Sequence, residues 1–183
     1  TPLHDEWAPA WSPDGRWLAF LSDRGGDDAV TQVWAMPAGG GEARVLTALP
    51  GGVDEFAWAP DSQRLALIAT DAQRAPGSPK PKHPPPIVTD RWQFKRDVSG
   101  YLDARRSHLY VHDIAGNTAV QLTSGPHDEA QPAWSPDGSQ IAYVTRRGDE
   151  PDRHSNFDLY LIEPRAGATE RKLTTFTGAD NDP

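Results

Sequence analysis

The heptad PAWSPDG stands at 9–15 and again at 132–138, and FAWAPDS at 56–62 is a third version of it. A repeated stretch constrains a fold strongly, because every copy must fill an equivalent place in a repeated unit. Trp11 and Trp58 are 47 residues apart, and Trp58 and Trp134 are 76 apart. A second marker keeps the same phase: VLT at 45–47, QLT at 121–123 and KLT at 172–174. Between the markers lie short runs rich in β-branched and aromatic residues, at 17–21, 32–36 and 44–47 in the first unit. They recur at 65–69, 108–112 and 119–122 in the second unit, and at 140–144, 158–162 and 171–174 in the third. With the strand that ends at each repeated Trp, every unit holds four strands.

The turn residues fit this division. In Ser12-Pro13-Asp14-Gly15 the proline presets φ at the first corner, Asp suits the second, and Gly takes the position that favours φ > 0. That makes a tight hairpin between the first two strands of a unit. The copy at 59–62 ends in Ser62 instead of Gly, so its turn is expected to be either slightly different or mildly strained. Gly-bearing links at 37–41, 114–117 and 165–167 join the third and fourth strands.

Four-stranded antiparallel meanders repeating every ~40–50 residues mark β-propeller blades. The fold class is therefore all-β, a partial β-propeller of three four-stranded antiparallel blades. Blade one covers about 7–47, blade two about 54–123 with a hairpin insert at 70–107, and blade three about 130–174. A β-sandwich is the rival architecture, but it gives an identical heptad no reason to recur. The repeated tryptophans read as core wedges between neighbouring blades. Propellers typically need four to eight blades to close, so three blades are expected to be a section of a longer propeller, with both ends near blade boundaries.

Composition narrows the function classes. A formal net charge of −8 argues against a nucleic-acid surface, and no apolar run approaches the ~18 residues of a membrane span. With no cysteine, thiol nucleophiles, disulfides and thiolate metal sites are excluded. Lack of cysteine favours a cytoplasmic setting and leaves a periplasmic one open. The first residues, Thr1 to Glu6, carry neither the basic nor the apolar part of a signal peptide.

In meander blades the connections after strands two and four share one face, and here they are long and charged: 22–28, 70–107 and 146–154. Long loops on a rigid scaffold are where binding concentrates. The largest, in unit two, accounts for the extra 29 residues. It opens with a Pro-rich basic arm at 75–86 and continues as a hairpin, with Trp92 and Phe94 on one face and Arg91, Gln93 and Lys95 on the other. Either the hairpin extends a blade edge, or it gates or docks a substrate. His4-Asp5-Glu6 and His127-Asp128-Glu129 recur in phase with the blades and read as inter-blade hydrogen-bonding motifs rather than metal ligands. Asp27-Asp28 and Asp180-Asn181-Asp182 lack the spacing of a calcium loop and read as solvated acidic turns. No Gly-x-Ser-x-Gly elbow, His-Glu-x-x-His pair or phosphate loop occurs, so the chain by itself is expected to be non-catalytic, with no cofactor and no metal.

The pattern WSPDG…LAF.SDR…QVWAMPAGG…VLT resembles repeats found in two groups. One is the TolB-type periplasmic binding propellers; the other is the N-terminal propeller of prolyl-oligopeptidase-family serine peptidases. RWQFKRDVSGYLDARRSHLYVHDI at 91–114 and HDEWAPAWSPDG at 4–15 resemble the acylaminoacyl-peptidase and dipeptidyl-peptidase branch of the second group. That resemblance implies a substrate-screening propeller on a C-terminal α/β-hydrolase domain that lies outside this sequence and carries a Ser-Asp-His triad. It also implies peptide substrates and further blades as partners. Some relatives use propeller arginines on a substrate terminus, which makes Arg91 and Arg96, with Trp92 on the same hairpin, the candidate substrate contacts. The alternative is an interaction propeller of TolB type without enzyme activity. In either case the uncovered blade faces predict self-association of the isolated chain.

Overall fold

Each copy of the heptad ends a strand and reverses the chain through hydrogen bonds made by its own side chains. The Ser12 hydroxyl donates to Asp14 Oδ1 (2.6 Å), which also accepts the Arg16 N–H (3.0 Å), while the Gly15 N–H closes on the Ser12 carbonyl at 2.8 Å. The same set recurs around Ser135, Asp137, Gly138 and Ser139. These donors hold the Asp137 carboxyl down at about 2, the Ser135 hydroxyl contributing most. In the middle copy Asp61 accepts the Gln63 and Arg64 N–H groups, and Ser62 takes φ +58° where Gly15 and Gly138 take +69° and +68°. The turn is conserved in shape, and a non-glycine residue bears its left-handed corner.

In this computed structural model, residues 5–25, 29–72, 83, 86–89, 92–97, 100–148, 151–153 and 156–183 are described. The first sheet is formed by β1 (Glu6–Trp11), β2 (Trp17–Ser22), β3 (Gln32–Pro37) and β4 (Arg44–Val45). The second holds β5 (Glu55–Trp58) and β6 (Arg64–Thr70), followed in space by β9 (Ser107–Asp113) and β10 (Thr118–Gln121). Between β6 and β9 the chain forms a small hairpin of β7 (Lys95–Arg96) and β8 (Gly100–Tyr101). The third sheet comprises β11 (Glu129–Trp134), β12 (Ile141–Thr145), β13 (Asp158–Ile162) and β14 (Arg171–Lys172). All pairings are antiparallel, and the chain is a partial β-propeller of three four-stranded blades.

The threonine of each Leu-Thr marker fastens a blade's third strand. Thr47, Thr123 and Thr174 accept the N–H of Val33, Leu109 and Leu159 at 2.9, 2.9 and 3.0 Å. Thr47 passes its own proton to Gln32 of the same blade (2.7 Å), whereas Thr123 donates to Glu129 of the next blade (2.9 Å). The paired leucines close the hairpin, with Leu46, Leu122 and Leu173 donating to the carbonyls of Val33, Leu109 and Leu159.

Alternation along β6 builds two inter-blade cores. Leu65 and Leu67 pack with Ala19, Leu21, Val33 and Val53 of the first junction, while Ala66 and Ile68 pack with Ile141, Tyr143 and Ile162 of the second. A strand covered on both faces reads as a continuous apolar run, as RLALIAT does. The repeated tryptophans span these junctions: Trp58 Nε1 donates to the Ala10 carbonyl and Trp134 Nε1 to the Ala57 carbonyl, each at 3.2 Å. Trp11 departs from the expected wedge role, because no blade lies against it among the described residues, and it is 58% exposed.

β1 and β11 each carry a bulge, at Trp7/Ala10 and Ala130/Ala133, with positive φ at Ala8 and Gln131 before a proline. The proline lacks the ladder donor, which suits a bulged position. β5 is regular, because only two residues separate Glu55 from Trp58 where four separate Glu129 from Trp134. The bulge links neighbours: the Gln131 N–H donates to Glu55 Oε2 (2.6 Å), and the Asp182 N–H to Gln131 Oε1 (3.0 Å). Asp182 stays exposed, as expected of a solvated acidic turn, and is also tied to Gln131 of the third blade.

Candidate functional site

The connections after β6, β10 and β12 come together on one face and enclose a cleft of about 800 Å³ between the second and third blades. Thr70, Ser107 and Glu129 lie at its floor, at the ends of β6, β9 and the start of β11. Gln93, Tyr101 and Leu102 form one wall from the β7–β8 hairpin, and Arg146, Pro151 and Phe157 form the opposite wall from blade three. This is the volume of a small-ligand or short-peptide site.

The floor is a polar network that crosses the blade junction. Glu129, fully buried, accepts from His108 Nδ1 and from the Thr123 hydroxyl, both at 2.9 Å. The Arg147 guanidinium approaches its second oxygen at 3.5 Å and pairs with Glu170, which also accepts the Tyr143 hydroxyl at 2.5 Å. Burying a carboxylate requires such partners, since an unpaired one would be costly. The Glu129 hydrogen bond raises the His108 pKa against the opposing effect of burial, aided by the charges of Asp71 and Asp128. Burial lowers the pKa of His127, which also lines the cleft, and raises that of Tyr143.

Above the floor, Asp128 accepts the Ser107 N–H at 3.1 Å and pairs with Arg106 at 3.3 Å. Asp54 accepts the Thr70 and Ser107 hydroxyls, and burial raises the Glu55 carboxyl, with the adjacent Asp54 charge adding to the effect. Glu129 thus makes the kind of inter-blade contact expected of the His-Asp-Glu motif. Its counterpart Glu6 instead forms an exposed ion pair with Arg24. Among the described residues, no group of three or more His, Cys, Asp or Glu is placed to hold a metal ion.

Of the candidate substrate contacts, Trp92 is 61% exposed and is not among the residues lining the cleft, although its neighbour Gln93 is. Arg91 lies outside the described residues, as do His4, Asp27, Asp28, His154 and residues 75–82 of the Pro-rich arm; Arg96 is placed only as a residue of β7. The hairpin is shorter than its sequence suggests: two residues per strand, extended by the Leu102 N–H donating to the Phe94 carbonyl and by stacking of Phe94 on Tyr101 at 6.5 Å. Sequence reasoning overlooked Asp54-Glu55, and it marked Arg106 and Arg146 only as members of the long charged loops 70–107 and 146–154. For the first pair a signal exists, since Asp-Glu precedes Trp58 as it precedes Trp11 and Trp134, but at a shorter spacing.

Comparison with known proteins agrees with this architecture. No protein-family model matches the chain. It is 32% identical over 158 residues to the uncharacterized peptidase YuxL of Bacillus subtilis, across 84% of this chain and 24% of that protein. Among solved structures it is similar to Pyrococcus horikoshii acylaminoacyl peptidase, with a TM-score of 0.66 and 22% identity over 93% of this chain and 25% of the other. TolB from Acinetobacter baumannii superposes with a TM-score of 0.62 at 20% identity, over 97% of this chain and 34% of the other. The chain spans about a quarter of the length of the curated peptidases it matches.

Proposed function

As the chain is a three-blade section of the propeller of prolyl-oligopeptidase-family peptidases, we propose that it screens substrates for a serine peptidase whose α/β-hydrolase domain lies outside this sequence. The observation that carries this reading is the cleft on the long-loop face, walled by two blades and sized for a short peptide. Short peptides meet the propeller there, on the hairpin that bears Arg91, Trp92 and Arg96, while bond cleavage belongs to the hydrolase domain. Blade limits near 7–47, 54–123 and 130–174 are part of the same reading.

The test has two arms. The gene downstream of codon 183 is read for a Gly-x-Ser-x-Gly elbow, and the isolated chain is assayed with acyl-amino-acid and peptide substrates. An elbow downstream and an inert isolated chain are expected. More repeats without an elbow would favour the second reading, an interaction propeller without enzyme activity, for which the likeness to TolB speaks. The exposed Trp11 face predicts self-association of the isolated chain; a purely monomeric sedimentation profile at high concentration would refute it.

A further inference from the structure

Each blade ends in an outer strand, and the three are not alike. β4 (Arg44–Val45) and β14 (Arg171–Lys172) are two residues long and carry Arg or Lys, the ordinary protection of a sheet edge. β10 runs four residues, Thr118-Ala119-Val120-Gln121, with no charge and no proline, and it pairs with β9 in one unbroken register without a bulge. It is the end strand of the second sheet, so no strand covers its outer side among the described residues. All four residues are exposed, and Val120 keeps 41% of its surface in solvent. The Leu122 N–H points inward, to the Leu109 carbonyl at 2.8 Å. By antiparallel alternation Thr118 and Val120 also turn their backbone groups inward, and Ala119 and Gln121 turn theirs out.

We propose that β10 is a pairing edge that takes β10 of a second copy of this chain, antiparallel across a two-fold axis at Val120. In that register Ala119 of each chain stands opposite Gln121 of the other, and each such pair exchanges two backbone hydrogen bonds. Val120 then meets its own counterpart in the close, non-hydrogen-bonded position, where side chains approach most nearly. Side-chain alternation agrees, because residues opposite each other in this register point to one face of the joined sheet. The segment is thus complementary to itself, as an isologous contact requires. The fourth strand of a propeller blade lies on the rim of the disc, so further blades would leave this edge open. The proposal rests neither on the peptide-screening reading nor on the Trp11 face. Four hydrogen bonds and one valine pair fall well short of the ~1,200 Å² of a stable interface, so the pairing is weak and reversible.

Amide hydrogen exchange of the full chain, followed by NMR over a concentration series with sedimentation alongside, tests this pairing. The Ala119 and Gln121 amides should slow as concentration rises. Those of Val45 and Lys172 should not, although they too face outward, because Leu46 and Leu173 donate inward. Val120→Lys sets two ammonium groups against each other on the axis and should weaken association about tenfold or more. Ala119→Pro removes an outward donor, leaves the inward bonds to β9 in place, and should have the same effect. Val120→Ile should stay near wild type. Both positions are exposed, and circular dichroism confirms that each variant is folded. Trp11→Ala, which removes the blade-face contact, should leave the slowing at Ala119 and Gln121 unchanged. Exchange there that does not depend on concentration overturns the edge pairing, as does slowing that persists in Val120→Lys. Association abolished by Trp11→Ala and untouched by Val120→Lys also overturns it, and leaves the Trp11 face as the self-association surface.

Discussion

Replacing each repeated tryptophan by alanine should give very different costs at positions that share one heptad. Trp134 donates its indole N–H to the Ala57 carbonyl at 3.2 Å, packs against the apolar cluster of the second junction, and carries the Arg64 guanidinium 4.9 Å over its ring. A large aromatic removed from a core typically costs ~3–5 kcal/mol, and partial exposure at the blade edge brings the expected loss for Trp134→Ala to about 2–4 kcal/mol. Trp134→Phe separates the polar part: it keeps an aromatic ring and leaves the Ala57 carbonyl without its donor, for about 1–2 kcal/mol. Trp11 has the same neighbours in sequence but is 58% exposed and faces no blade among the described residues. Its change to alanine should cost at most ~1 kcal/mol. Urea unfolding followed by far-UV circular dichroism, at a dilution where sedimentation shows monomer, reads these differences directly. Equal losses at Trp11 and Trp134 would refute the assignment of the tryptophan to an inter-blade role, because only tertiary position separates them.

Other outcomes follow from the turns and the junction network. Gly15 has φ +69° and an added Cβ would meet no atom within 4 Å, so Gly15→Ala should cost about 1 kcal/mol from backbone strain alone; a neutral result in the same unfolding assay would show that the turn relaxes. In an NMR titration His108 should take up its proton above the ordinary histidine value, and His112 and His127 below it, because Glu129 stabilises the His108 imidazolium while burial disfavours the other two. The raised His108 pKa stabilises the fold fully below the unfolded value of ~6.5, and that stabilisation fades as pH rises through the folded value. His108→Gln should therefore lose more stability near about pH 5.5 than near about pH 8.5; the reverse order in thermal unfolding would contradict the His108–Glu129 pairing.

The strands and their reversals were legible because the chemistry that makes them is local. Ser12, Asp14 and Gly15 satisfy one another within four residues, and Thr47 fastens the N–H of Val33 in the same blade. Those contacts need nothing from the rest of the chain, so a repeated motif gives a repeated structure. Even the middle turn, with Ser62 in the glycine place, keeps the shape and accepts the strain. The insert hairpin was also legible, though its strands proved shorter than the alternation of residues 91–95 implies.

The cleft was not legible in that way. Its floor joins Thr70, Ser107 and Glu129, and its walls join Gln93 with Arg146, pairs separated by tens of residues whose meeting depends on how two blades are placed side by side. Nothing in the letters of His127-Asp128-Glu129 separates Glu129, buried against His108 and Thr123, from Glu6, which pairs with Arg24 at the surface. Sequence by itself determined three blades, their turns and the face that bears the long loops, because dihedral preference and near-neighbour hydrogen bonds act over a few residues. The tertiary structure alone decided which tryptophan is covered, which carboxylate is buried and where the cleft opens, because burial and desolvation depend on the sheet that lies against each side chain.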